Sequence, residues 1–186
     1  ELSLLSVNFG QNVLADTNAF EYYVQNEEEL KGLPAAVIET AASKAKEKGK
    51  EDQWLFTVHN ASVMPVLEYA DNRELRKKMY LAYKNRGNNG NKNDNNEIVV
   101  KMVNLRLQKA QLLGYKTYAD YSLEETMAKT PETVNNLLNR LWTPALAVAM
   151  EEIADIKKSM VADGINDDVQ PWDYKYYSEM VRKEKY

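Results

Sequence analysis

The chain has 186 residues, of which 44% are apolar and 28% charged, and its 28 acidic and 24 basic residues leave a formal net charge of −4. Those proportions are those of an ordinary globular protein and argue against disorder, no apolar run reaches the roughly 20 residues that span a bilayer, and the mixed charge offers no basic stripe for nucleic acid. The absence of cysteine excludes disulfides, thiolate metal sites and a cysteine nucleophile.

Along the chain, Leu2, Leu5, Phe9, Val13, Phe20 and Val24 recur at helical spacing, which predicts one amphipathic helix from Leu2 to about Leu30, stopped by Gly32-Leu33-Pro34. A second helix is expected from Pro34, carrying Val37, Ile38, Ala41, Ala42 and Ala45 toward a Lys-rich end at Gly49, and the two should form an antiparallel hairpin. Trp54-Leu55-Phe56-Thr57-Val58-His59 alone has strand-like composition. One short strand cannot support a sheet, so it needs a partner from elsewhere or is an extended connection. After Pro65, Asp71-Asn72-Arg73-Glu74 reads as a capping box opening a helix through Leu75, Met79, Ala82 and Tyr83.

Residues 86–96 form the clearest loop, rich in Asn and Gly. Side-chain oxygens there raise the idea of a calcium loop, but the carboxylate count and closing glutamate are missing, so a solvated helix connection is the expectation. Taken as a linker, the loop 87–96 divides the chain into possible subdomains 1–86 and 97–186. Ile98 to Leu113 is broadly apolar and ends at Gly114, which predicts a helix buried on more than one side. Thr117 suits the cap of the next helix. Thr130-Pro131-Glu132 starts the longest periodic segment, which holds its apolar stripe to Gly164 with a bend expected near Leu141 from Pro144. Asp173 is expected to cap a final helix that runs to Tyr186 with no stop signal, as though the chain had been cut there. The expected fold class is all-α, with at least six helices and at most one short strand.

The chemistry-bearing residues are few. A catalytic zinc site typically takes three histidine or carboxylate ligands, and a His-Glu-x-x-His helix needs two histidines. The chain has one, His59, read as structural or exposed. Glu27-Glu28-Glu29, Glu124-Glu125, Glu151-Glu152 and Asp167-Asp168 are adjacent acids. Sequence neighbours on a helix point about 100° apart, so such pairs do not converge on one substrate atom. The glycines lie singly and make no phosphate loop. Twelve tyrosines are the excess. Tyr174, Tyr176 and Tyr177 beside Trp172, with Tyr115, Tyr118 and Tyr121, suit either a peptide groove or, as the preferred reading, helix packing with hydroxyls at the rim.

Six phrases carry a resemblance: Leu2-Ser3-Leu4-Leu5-Ser6 with Phe9 and Gln11-Asn12-Val13-Leu14; Leu30-Lys31-Gly32-Leu33-Pro34; Tyr69-Ala70 with Arg73-Glu74-Leu75-Arg76; Leu105-Arg106 leading to Leu112-Leu113-Gly114-Tyr115; Met127-Ala128-Lys129-Thr130-Pro131; and Trp172-Asp173 with Tyr176-Tyr177. In this order they resemble the thimet oligopeptidase family of zinc metallopeptidases, and most closely its bacterial peptidyl-dipeptidase branch. The resemblance implies an almost entirely helical protein with a deep channel between two lobes, short peptides as substrates, and zinc as cofactor, its activated water attacking the peptide carbonyl with a glutamate as general base. It places the zinc motif downstream of the Trp-Asp and Tyr-Tyr phrase, so no catalytic, cofactor-binding or metal residue is assigned within this chain. The chain is then expected to be a channel-wall lobe, inactive alone, whose partner is the remainder of the same polypeptide. A non-catalytic helical scaffold or adaptor is the alternative. Glu1 is not Met, so the natural start is expected to be missing, and a cytoplasmic compartment is favoured with a periplasmic one left open.

Overall fold

The first helix ends at Ala19, well short of Leu30, because Phe20 turns the backbone to an extended conformation (φ −80°, ψ 121°) and the aromatic and β-branched residues after it pair with the strand-like segment. The computed structural model describes all residues, Glu1–Tyr186. In chain order the elements are α1 (Leu2–Ala19), β1 (Tyr22–Val24), a 3₁₀ turn (Glu27–Leu30), α2 (Ala35–Glu47), β2 (Trp54–Phe56), α3 (Asn60–Tyr69) and α4 (Arg73–Lys84). The second half contributes α5 (Asn96–Leu112), α6 (Tyr118–Leu123), α7 (Pro131–Ala162) and α8 (Pro171–Lys185). The fold is all-α apart from a two-stranded antiparallel ribbon in which Tyr22 faces Phe56, Tyr23 faces Leu55 and Val24 faces Trp54. The partner that the short strand required was hidden inside the segment whose spacing read as helix.

No antiparallel hairpin of the first two helices forms. Instead α1 packs on α5, and α2 packs on β2 and α3. The main core gathers Val24, Leu30, Phe56, Val63, Val66 and Met79, each no more than 2% exposed, from the ribbon, the 3₁₀ turn, α3 and α4. Helix α3, not among the helices expected from the sequence, is central to it and carries Pro65 in its interior. A second, smaller core of Ile156, Met160 and Tyr177 joins the end of α7 to α8, and α8 packs across α3 and α4.

The Asn-rich loop is not simply a solvated connection. It folds around the buried carboxylate of Asp16 on α1, which accepts from Gly87 N (2.8 Å), Asn89 Nδ2 (2.7 Å), Asn91 Nδ2 (3.2 Å) and Asn93 Nδ2 (2.8 Å). Burial pushes the Asp16 carboxyl upward, but these four donors outweigh it and hold the group below the usual carboxylate range. Asn95 completes the join, accepting from Asn12 Nδ2 and donating to Phe9 O.

Two expectations about burial are also corrected. Helix α5, predicted to be buried on more than one side, buries only Ala110, leaving Val99, Val100, Val103 and Leu107 exposed. Helix α7 passes Pro144 as one unbroken helix, and residues 135–154 are exposed on every face.

The turn at Gly32 locks the ribbon half of the core to the α3–α4 corner. Gly32 adopts φ +84°, and a Cβ there would stand 2.2 Å from Tyr69 O and 2.4 Å from Asp71 Oδ1. Lys31 O accepts from Asp71 N at 2.9 Å beside it. Since the left-handed backbone alone costs a side-chain-bearing residue about 1–2 kcal/mol and the clash is with backbone, Gly32→Ala should lower stability by more than about 2 kcal/mol. Denaturant unfolding measures this; a loss within experimental error would show that the corner moves freely.

Candidate functional site

The region where α4, α8 and the α7–α8 connection meet is organised by one buried carboxylate. Asp173 was expected to cap α8, but Gln170 occupies the cap and Asp173 sits in the first turn, its Oδ2 accepting from Gln170 N at 3.1 Å. The reason is long-range: Asp173 is fully buried and takes Arg73 as a bidentate partner, Nε to Oδ1 at 2.9 Å and Nη2 to Oδ2 at 2.8 Å. Arg76 Nη2 adds a third guanidinium contact at 3.2 Å.

Arg76 is itself only 1% exposed and spends its other donors on backbone carbonyls, Nη1 to Ala70 O (2.8 Å) and Asp71 O (3.0 Å), and Nε to Trp172 O (3.2 Å). Its guanidinium lies 4.0 Å from the ring centre of Tyr176, whose hydroxyl donates to Asp71 Oδ1 at 3.0 Å. Arg73 also reaches Asp167 Oδ2 at 2.7 Å. Burial would raise the Asp173 carboxyl, but Arg73, the Gln170 N–H and Arg76 overcome it and hold the group below its ordinary range. Burial, and then the bond to Asp71, push the Tyr176 phenol up to about 12. Burial and nearby Asp163 do the same for Tyr177, also to about 12.

Against this hub lies an open groove of about 560 Å³ between α3–α4 and α7–α8. Met64, Leu67, Tyr80, Tyr83, Ile153 and Tyr174 supply its apolar and aromatic walls, with Lys84 and Lys175 among the lining residues. Its lining holds no carboxylate and no histidine, so it presents an apolar, aromatic surface flanked by lysines and no metal-ligating set. Of the tyrosines singled out in the sequence, Tyr174 alone lines it. Tyr177 is core, and Trp172 meets Tyr80 edge-on with ring centres 6.3 Å apart. Tyr115, Tyr118 and Tyr121 form a separate cluster, with Tyr121 edge-on to Tyr115 at 5.4 Å and Lys109 4.7 Å from its ring, that fastens α6 to α5.

The remaining candidates do not converge. His59, exposed at the cap of α3, lies with Nδ1 3.1 Å from Thr57 Oγ1 and Nε2 3.3 Å from Asn18 Oδ1, so it ties α1 to the corner after β2. Glu28 pairs with Lys31, Glu124 accepts from Tyr115, Glu151 and Glu152 are exposed, and Asp167 serves Arg73. No three His, Asp or Glu side chains are grouped so as to hold a metal, and the residues of this chain therefore do not fit a zinc ion. The sequence reading missed Arg73, Arg76, Tyr80 and Tyr83 as site residues. The available signal was Arg76 itself, an arginine set among the buried residues Leu75 and Met79 of α4.

Comparison with known proteins adds what this geometry alone does not carry. The sequence profile described as peptidase family M3 matches residues 66–186. The probable cytosolic oligopeptidase A of Arabidopsis thaliana is 37% identical over all of this chain, which covers 27% of that relative. Oligopeptidase A of Escherichia coli is 37% identical, again over the whole chain and 28% of the relative. Dipeptidyl carboxypeptidase of the same organism is 32% identical over the whole chain and 27% of its own length. The chain thus spans about a quarter of the length of these relatives.

Removing the charge of Asp173 tests the hub. Asp173→Asn leaves Arg76 buried without its counter-ion, and truncating one partner of a buried pair costs about 3–5 kcal/mol, so a loss of that size is expected at pH 7. Because the folded carboxyl lies below its unfolded value of about 3.9, its stabilisation is complete above that pH and fades as pH falls through the folded value. Urea unfolding at neutral pH and near pH 3 should show the gap between wild type and Asp173→Asn narrowing in acid. A gap independent of pH would assign the loss to shape and not to charge.

Proposed function

The chain belongs to peptidase family M3, and we propose that it is a helical lobe of a zinc metallopeptidase that cleaves short peptides, the metal and the catalytic groups coming from the rest of the polypeptide. The carrying observation is the state of α7. Leu137, Leu138, Leu141, Trp142, Leu146 and Met150 are all between 43% and 64% exposed, and at about 100° per residue they spread over an arc of about 220°, with Asn136, Arg140 and Glu151 on the remaining face. An apolar arc this wide is well beyond the stripe of an ordinary surface helix, and exposed apolar surface of this extent marks packing against further chain. With roughly three quarters of the relatives' length outside this chain, the same polypeptide is the natural cover.

Zinc and peptide substrate come from the family, and not from these residues. His59 is committed to Thr57 and Asn18, so the ligands and the general base are assigned outside residues 1–186. What this chain contributes is a wall: a rigid body of α3, α4 and α8 fixed by Asp173, carrying α7 outward. The relatives' names divide between oligopeptidase and dipeptidyl carboxypeptidase, and the proposal covers both, since each acts on peptides. The scaffold alternative has no observation of its own.

The full-length protein should hydrolyse a short peptide and lose that activity on treatment with a chelator, with zinc restoring it. The 186-residue chain alone should show no turnover with or without zinc, because the groups that supply the rate acceleration are absent from it. Turnover by the isolated chain, after a contaminating protease has been excluded, would defeat the assignment of the catalytic groups; a full-length protein inert toward peptides would defeat the assignment of activity.

A further inference from the structure

The chain contains a single Asn-Gly pair, Asn89-Gly90, and it lies in the loop that grips Asp16. Asparagine before glycine is the sequence most prone to spontaneous cyclisation, because no side chain hinders the approach of the following backbone nitrogen. Both residues are exposed, Gly90 has φ +63°, and a Cβ on it would meet nothing within 4 Å, so there is no steric shield. What restrains the pair is hydrogen bonding. The amide of Asn89 donates to Asp16 Oδ2 at 2.7 Å, and the attacking atom, Gly90 N, donates to Asp94 Oδ2 at 2.9 Å. Asp94 is held in turn by Asn96 N at 2.9 Å.

We propose that Asn89-Gly90 is a deamidation site gated by the carboxylates of Asp16 and Asp94, and that its conversion releases α1 from the loop. For reaction, Gly90 N must leave Asp94 and lose its proton to hydroxide. It then attacks Cγ of Asn89; the new C–N bond closes a succinimide, the Cγ–Nδ2 bond breaks, and Nδ2 departs with a proton as ammonia. Water opens the ring at either carbonyl to give aspartate or isoaspartate. The net change is one water in and one ammonia out, with no redox partner.

The product is incompatible with the clamp. Where Asn89 Nδ2 donated to Asp16 Oδ2, a carboxylate oxygen would now face a buried carboxylate, replacing attraction by like-charge repulsion. Isoaspartate also lengthens the backbone between Gly87 and Asn91, both of which must reach Asp16 from fixed positions. The neighbouring bonds that hold α1, Arg86 to Thr17 and Asn12 to Asn95, depend on the same loop conformation. The reaction is therefore a one-way loosening of the α1–α5 join, timed by how often the loop opens.

The test uses the full-length protein incubated at mildly alkaline pH, with peptide mapping by mass spectrometry and isoaspartate-specific methylation at residue 89. Folded wild type should deamidate more slowly than the same protein in denaturant, and Asp16→Asn, which turns an acceptor of four donors into a competitor for them, should react about tenfold faster than wild type. Asp94→Ala, which removes the acceptor of Gly90 N without touching Asp16, should also react faster. Asn89→Asp, a mimic of one product, should lose hydrogen-exchange protection in the last turns of α1. The proposal is overturned if neither carboxylate variant reacts faster than wild type, if residue 89 stays intact even in denaturant, or if Asn89→Asp leaves exchange in α1 unchanged.

Discussion

The contact between Asp173 and two arginines of α4 is the constraint on which the arrangement of the second half depends. It joins residues 100 apart in sequence, and it is made where α8 crosses α3 and α4. A buried carboxylate facing two guanidiniums is not in itself a gain over well-packed apolar residues; its effect is to specify one docking. Each guanidinium nitrogen of Arg76 is matched to a particular acceptor, Ala70 O, Asp71 O, Trp172 O or Asp173, so a shift of α8 by even one turn would strand several buried groups at once. The groove lined by Tyr80, Tyr83 and Tyr174 exists because this docking sets the spacing of its walls.

A second carboxylate, Asp16, plays the corresponding part for the first half. It is neutralised by dipoles alone, one backbone N–H and three asparagine amides, with no cation among its partners. Satisfying a buried charge in this way needs several donors aimed at one point, which a loop alternating Asn at 89, 91 and 93 provides. The consequence is a join between α1 and α5 that relies on loop chemistry more than on apolar burial, since α5 buries only Ala110.

Helix identity was largely legible in the sequence, because it rests on local rules. Thr117 caps α6 with Asp120 in return, and Thr130 accepts from Thr133 N at 3.2 Å with Pro131 as the first residue of α7. The start of α4 is shifted by one residue from the expected box of Asp71 with Glu74: Asn72 is the cap, accepting from Leu75 N, and no glutamate reciprocates. The errors came where tertiary partners overrode local pattern. Tyr22–Val24 continued the spacing of α1 but found Trp54–Phe56, and α3, at the centre of the core with Pro65 inside it, was not expected as a helix. Asp16 and the Asn loop, 71 residues apart at Gly87, carried no local signal at all. Membership of a peptidase family was legible in six short phrases, whereas the role of Arg76 was visible only as a charge on an apolar face. The broad apolarity of α5 and the apolar stripe of α7 pointed to burial within this chain, whereas the structure leaves most of α5 and the middle of α7 as surface.

That surface is where the account is most exposed to test. If the chain is one lobe of a larger peptidase, the middle of α7 is interior in the complete protein. Trp142 and Met150, each 64% exposed, are good reporters for hydroxyl-radical footprinting because both side chains react readily when wet. The account predicts strong modification of both in the isolated 186-residue chain and strong protection of both in the full-length protein. Equal modification in the two would mean that α7 is a free surface, contradicting the reading of this chain as a lobe built to be covered.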